Sequence, residues 1–239
     1  MSRLSRRSFV FVSSGAVAGN FLASGLAVAD EAHAGALADS GLVTGALKPL
    51  RHASIPGFLS AEQIAPHHTA HYGGALRAFN SIEARFEDSF QTGTPIDPLA
   101  YDAMQRTKSS RGNSVILHEL YFDGMAPRGA DPEADVRQAI HKRFGSLEKW
   151  ADDFQASARS AAGWAMLVLH PVNGRLYNVL SDEHAQGPLW MAVPLVVIDV
   201  YEHAFYIDYQ NRKAEYVQKF MAHIDWAEAN RRYHAATQA

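Results

Sequence analysis

Cysteine is absent from the 239 residues, which removes disulfides, thiolate metal sites, iron–sulfur clusters and thiol nucleophiles together. Any metal must therefore sit on imidazole and carboxylate. A cationic surplus is missing as well: 22 Lys and Arg face 25 Asp and Glu, for a formal net charge of −3. Neutralising many phosphates needs the opposite balance, so nucleic acid is excluded as a partner. Nor is there an unbroken apolar run of the ~20 residues a membrane span requires. The most apolar stretch, ending at Val28, is interrupted by Ser13, Ser14, Gly15, Gly19 and Asn20. What the chain has in quantity is histidine, 12 residues of the commonest metal-ligating type. With 47% hydrophobic residues it can bury a sizeable core in one large domain or two small ones.

The first residues read as an address. Arg6 and Arg7 form a twin-arginine pair, followed by Ser8, Phe9 and Val10 and a mild apolar stretch, similar to a Tat export signal. Ala27-Val28-Ala29 and Ala32-His33-Ala34 offer cleavage after Ala29 or Ala34. Residues 1–34 are accordingly assigned to a Tat-type signal peptide. The expected location is periplasmic, by the twin-arginine route, with no stable membrane anchor after cleavage. Without that segment 19 basic residues face 23 acidic ones, so the mature chain stays acidic.

The remainder divides into an N-terminal helical hairpin domain, 35–130, and a C-terminal α+β domain, 131–239. Residues 35–58 carry Gly, Pro and Ser without periodicity and read as an extended arm. Ser60-Ala61-Glu62-Gln63 has the capping-box pattern, and apolar Leu76, Phe79, Ile82 and Phe86 predict a helix to about Phe86, with Pro66 as a bend or restart. After a Thr, Gly and Pro-rich loop at 91–98, a second helix is expected over Ser109 to Phe122. Helices at about Pro132 to Phe144 and Ser146 to Ala162 precede strands at Trp164 to His170 and Arg175 to Ser181, joined by the turn Pro171-Val172-Asn173-Gly174. Leu195 to Val200 is apolar and rich in β-branched residues, as a strand buried on both faces would be. One amphipathic helix is expected from Glu202 to Ala235, with a break near Ala214. The fold class is α+β: helices, a three-stranded antiparallel sheet, then helices.

The chemistry-bearing residues are few. Asp199 ends the apolar strand, where an ionised carboxylate is costly unless paired or bound to a cation. His203 follows four residues later and can turn back toward it. His67 and His71 lie one helical turn apart and can face the interior together, whereas His68 points elsewhere. His118 sits among apolar neighbours in the second helix. Taken singly, Asp199 as a helix cap and the histidines as packed imidazoles remain open readings.

Taken together, the Ser60–His71 segment, the helix bearing His118, Gly163-Trp164 with its hairpin, Pro188-Leu189, and Asp199 to Tyr216 followed by Trp226 resemble the iron/manganese superoxide dismutase family in order and spacing. The most specific piece is Asp199 to Tyr209 with Gln210-Asn211. The resemblance implies one Fe or Mn ion per subunit held by His67, His118, Asp199 and His203. It also implies superoxide as substrate, converted to O2 and H2O2 by one-electron cycling of the ion. Glu202, Tyr206 and His71 would complete the catalytic surroundings in a homodimer. There Glu202 would meet His203 of the partner subunit and His71 would face Tyr206 across the axis. Lys213 falls where the family carries a cation at the funnel mouth.

The chain departs from the family's pattern at several points. Ala75 stands where a gateway tyrosine is expected and Tyr72 where a histidine is expected; Tyr72 is a candidate replacement for the lost hydroxyl, about a quarter turn away. Phe122, Met166 and Tyr201 stand near positions of tryptophan, and only Trp164 remains. Neither Ser114 nor Ala185 supplies the glutamine that hydrogen-bonds metal-bound solvent, leaving His184 or Gln186 as candidates, and the metal unassigned between Fe and Mn. The alternatives are a catalytically weak superoxide-dismutase-like metal-binding protein of the periplasm and a metal carrier that keeps only the scaffold. A zinc hydrolase is disfavoured by the lack of His-Glu-x-x-His.

Overall fold

The computed structural model describes residues 38–187 and 189–238; the twin-arginine pair and both cleavage motifs lie outside them. Among the described residues no helix is long and apolar enough to cross a membrane.

The arm is extended apart from a four-residue helix, α1 (Gly41–Thr44). At the next helix the capping box closes only by half. The Ser60 hydroxyl accepts from the Gln63 N–H at 3.1 Å, starting α2 (Ala61–Pro66). The Gln63 side chain does not return to Ser60; it crosses to the C-terminal half, and the Ser60 N–H donates to Asp208 instead. Pro66 has no N–H to donate to the preceding turn. The chain responds by widening its winding over the π-helical segment His67–Tyr72, where the Gly73 N–H reaches back to the His68 carbonyl, and resumes as α3 (Gly73–Thr92). The rod thus changes pitch rather than breaking, and it runs beyond the expected end at Phe86.

Asp97 accepts from the Leu99 and Ala100 amides, and Pro98 at the first position has φ already set for a helix, so α4 spans Pro98–Asp123. It begins eleven residues before the expected start at Ser109, because Asp97-Pro98 is a helix start embedded in a loop-like composition. Rods α3 and α4 pack as a hairpin. They approach closely at Gly112, where an added Cβ would lie 3.0 Å from the Phe79 ring.

In the C-terminal half, α5 (Ala134–Phe144) and α6 (Leu147–Ser160) precede β1 (Trp164–His170), β2 (Arg175–Ser181) and β3 (Val193–Asp199). The sheet is antiparallel throughout, in the order β2-β1-β3, with Trp164 opposite Asp199. Strand β1 is central and nearly wholly buried, and β3 is buried from Leu195 to its end, so Asp199 reaches the interior on a rigid element.

The helix expected from Glu202 with a break near Ala214 does break there, between Tyr209 and Lys213, and is divided further into four pieces: a 3₁₀ turn (Glu202–Ala204), α7 (Tyr206–Tyr209), α8 (Lys213–Met221) and α9 (Trp226–Gln238). Gln210 adopts a positive φ of 52°, which no helix continues through. Asp225 caps α9 by accepting from the Glu228 N–H, three residues on from Ala222, where the preceding helix ends. Periodicity carries across the further breaks after Ala204 and before Trp226, which is why the sequence does not show them.

Candidate metal centre

The wide turn after Pro66 presents His67, α4 presents His118, the end of β3 presents Asp199 and the 3₁₀ turn presents His203. One donor atom from each lies within 4.8 Å of the others. The Nε2 atoms of His67, His203 and His118 stand 3.2, 3.3 and 3.7 Å from the same oxygen, Asp199 Oδ2. Asp199 is completely buried and His67 and His118 are 1% exposed.

The remaining atoms of these side chains are held by the protein. His118 Nδ1–H donates to the Ser114 carbonyl at 2.7 Å, which assigns the proton to Nδ1 and leaves Nε2 a free lone pair. Asp199 Oδ1 accepts from the Tyr201 N–H at 2.9 Å, turning Oδ2 to the imidazoles. The Asp199 carbonyl accepts from Tyr216, whose hydroxyl pairs with that of Tyr121. Gln63 donates to the His203 carbonyl at 2.7 Å and accepts from the Ile207 N–H, fixing the turn that carries His203 to the N-terminal helix. By contrast, the buried Nε2 atoms of His118 and His203 make no hydrogen bond. Buried polar atoms are rarely left so, and three imidazoles around an anionic oxygen are the donor set of a borderline cation such as Fe, Mn or Zn.

Electrostatics agrees. Burial alone would raise the Asp199 carboxyl, but the imidazoles of His203 and His67 hold it below the usual carboxylate range. Burial pushes His118 down to about 3, and burial also lowers His67 against the pull of Asp199. Both are neutral near pH 7, the form a metal requires.

Rings close the site. Trp164 stands edge-on to His118 at 5.2 Å, Phe122 lies 4.9 Å from His67, and Tyr201 stacks on His203 at 5.3 Å. Phe122 and Tyr201 therefore line the site in place of two of the expected tryptophans, while Met166 is buried in β1. His184 is the member of the His184–Gln186 pair that reaches the site. Its Nδ1 accepts from Trp164 Nε1–H at 3.0 Å and its ring lies 6.2 Å from His118, whereas Gln186 is exposed. With Nδ1 accepting, the neutral ring carries its proton on Nε2.

Other expectations change. Tyr72 does not replace the gateway hydroxyl: its OH donates to Glu119 and accepts from the Lys48 N–H, committing it to the arm. Ala75 is buried at that position. His71 is exposed rather than interior, with its ring stacked on His203 at 3.8 Å. Glu202 is exposed and Tyr206 is 50% exposed. Lys213 is not a free cation, since its ammonium donates to the Ala161 carbonyl at 2.5 Å, and burial lowers its pKa. The Ser114 carbonyl, Gln63 and Glu119 carry roles that side-chain type alone did not signal; only the i−4 spacing of Ser114 from His118 on a helix could have pointed to the first.

A helical hairpin and a three-stranded sheet with three imidazoles and one carboxylate between them define a mononuclear metalloprotein with a site shared by two structural halves. Residues 132–232 match the family described as iron/manganese superoxide dismutases, C-terminal domain. Similar proteins include superoxide dismutase [Mn] 2 of Haloferax volcanii, 32% identical over 80% of this chain and 94% of its own length. They also include superoxide dismutase [Fe] of Cupriavidus metallidurans, 34% identical over 80% and 98%, and that of Aquifex aeolicus, 34% identical over 76% and 87%. The chain belongs to the iron/manganese superoxide dismutase family. Relatives named for each metal stand at nearly equal identity, so likeness alone does not select between Fe and Mn.

Proposed function

We propose that this chain is a superoxide dismutase whose His67, His118, Asp199 and His203 hold one Fe or Mn ion. The observation that carries this is the convergence of three imidazole Nε2 atoms on one oxygen of the buried Asp199, two of them without a hydrogen-bond partner. When bound, such an ion supplies one-electron chemistry, by which one superoxide is oxidised to O2 and a second is reduced to H2O2.

The residues supply the rest. The negative charge of Asp199, kept ionised by His203 and His67, favours the more highly charged state of the ion. The Ser114 carbonyl fixes the His118 tautomer, and the Tyr201 amide aims Asp199. His184, its ring 6.2 Å from that of His118 and its Nδ1 held by Trp164, would be the nearby donor to solvent at the ion. Reduction consumes two protons. His71, exposed and stacked on His203, stands between solvent and the site, and burial followed by the neighbouring His203 keeps it below the usual histidine range. The apolar rings exclude bulk water around the cluster.

The homodimer belongs to the same proposal. Glu202, Tyr206, Ile207 and His71 are exposed beside His203, a surface that a second copy would cover. Periplasmic location rests on the Arg6-Arg7 signal and its cleavage motifs. The test is His118→Ala: metal content and superoxide consumption should both fall to background. A metal-free variant that still dismutates would refute the reading. Stoichiometric metal in the wild type without turnover would favour the weakly active alternative.

A further inference from the structure

The neighbours of two of the proposed ligands are tied to the same strip of the N-terminal arm. Glu119, next to His118, accepts from the Gly41 N–H and from the Tyr72 hydroxyl, each at 2.8 Å. Tyr72, buried and lying nearly parallel to the His118 ring at 6.1 Å, accepts in turn from the Lys48 N–H at 3.0 Å. His68, next to His67, donates to the Lys48 carbonyl at 2.8 Å. Lys48 is gripped a third time through its ammonium, which pairs with Asp123 at the end of α4 at 2.8 Å and with Asp39 at 3.0 Å. Arg51 extends the seam to the Asp123 carbonyl and to Asp225.

The arm therefore has no route off the hairpin that does not first release Tyr72, Glu119 or His68. Each of these is fixed against a proposed metal ligand or its adjacent backbone. An element fixed at both ends is coupled in both directions: what orders the ligands holds the arm, and what frees the arm loosens the ligands.

We infer that residues 39–51 form a clasp that acts through Tyr72 and Glu119 as positioning residues for His118, so that arm docking and metal retention are coupled. The inference rests on the metal-site reading above. Two backbone amides, Gly41 and Lys48, donate to the clasp side chains and report its state directly.

The experiment uses the full mature protein and cobalt(II) alone as the probe. Amide exchange at Gly41 and Lys48 should slow when cobalt binds. Glu119→Leu, which removes the shared acceptor, should release cobalt to a chelator roughly tenfold faster, the range typical of lost partners behind a metal ligand, and should shift the cobalt visible spectrum. Glu119→Gln keeps an acceptor oxygen and should restore the wild-type rate. A folded Glu119→Leu protein with wild-type release and spectrum would overturn the clasp. If Glu119→Leu does not fold, Tyr72→Phe, which keeps the ring and loses the hydroxyl, and the wild-type exchange comparison decide. Cobalt uptake with unchanged exchange at both amides refutes the clasp alone, whereas no cobalt uptake by the wild type refutes the metal site beneath it.

Discussion

The two ends of the helical hairpin are built from the same helices and differ in what covers them. At the base, Tyr72, Ala75 and Leu76 on one helix and Val115, Tyr121 and Phe122 on the other are buried against the sheet and the arm. At the tip, Phe90 is 73% and Leu99 81% exposed, and Tyr101 packs mainly on Phe86 of the neighbouring helix. Burial at the base holds the imidazoles neutral, and those imidazoles in turn keep the buried aspartate ionised; among the described residues the tip has no third layer to do so. A helix is thus a carrier, and the chemistry lies where a second structural half closes over it.

Substitutions at the two ends should separate accordingly. The largest effect is expected at Arg232, buried at the base, which donates to the Leu120 carbonyl at the end of α4 and the Leu195 carbonyl of β3 while pairing with Glu228. Arg232→Leu removes the donor shared by the Leu120 and Leu195 carbonyls and leaves Glu228 paired with Arg231 alone, and should destabilise the protein by about 1–3 kcal/mol, read from chemical denaturation. An intermediate effect is expected from acid. His118 titrates at about 3 when folded and metal-free, against an ordinary 6.5, so the unfolded chain binds its proton first as pH falls. That contribution is full above about 6.5 and should be lost progressively toward about 3, which denaturation of the metal-free protein across this window will show. The smallest effect is expected at the tip: Leu99→Ser should change stability by no more than about 0.5 kcal/mol and leave metal content unaltered. A tip substitution as damaging as Arg232→Leu would erase the distinction between the two ends.

The same contrast explains what the sequence disclosed. Strand β1 and the hairpin turn after it are legible because apolar residues and Pro171 to Gly174 act locally, and the boundaries Trp164, His170, Arg175 and Ser181 coincide with the strands. The first part of α4 is not legible by periodicity: it is exposed on most sides, while the later part is buried on several, so no single apolar stripe runs along it. The break expected near Ala214 falls four residues earlier, at Gln210, because a positive φ at glutamine runs against the residue's own preference and leaves no mark in composition. The cluster of His67, His118, Asp199 and His203 is legible only through family resemblance, since ring orientation, the Ser114 carbonyl and the turn of Asp199 by Tyr201 are tertiary facts. The role of Tyr72 is not legible either, because sequence spacing says how far a hydroxyl is from a site and not which partner it finds, here Glu119 and Lys48.

The central claim is that four side chains from two halves share one ion. Anomalous diffraction at the iron and manganese edges from crystals of the metal-loaded protein tests it most directly. A single peak bounded by His67, His118, Asp199 and His203 is the predicted result, and a peak elsewhere, or density there with no anomalous signal at either edge, would contradict it.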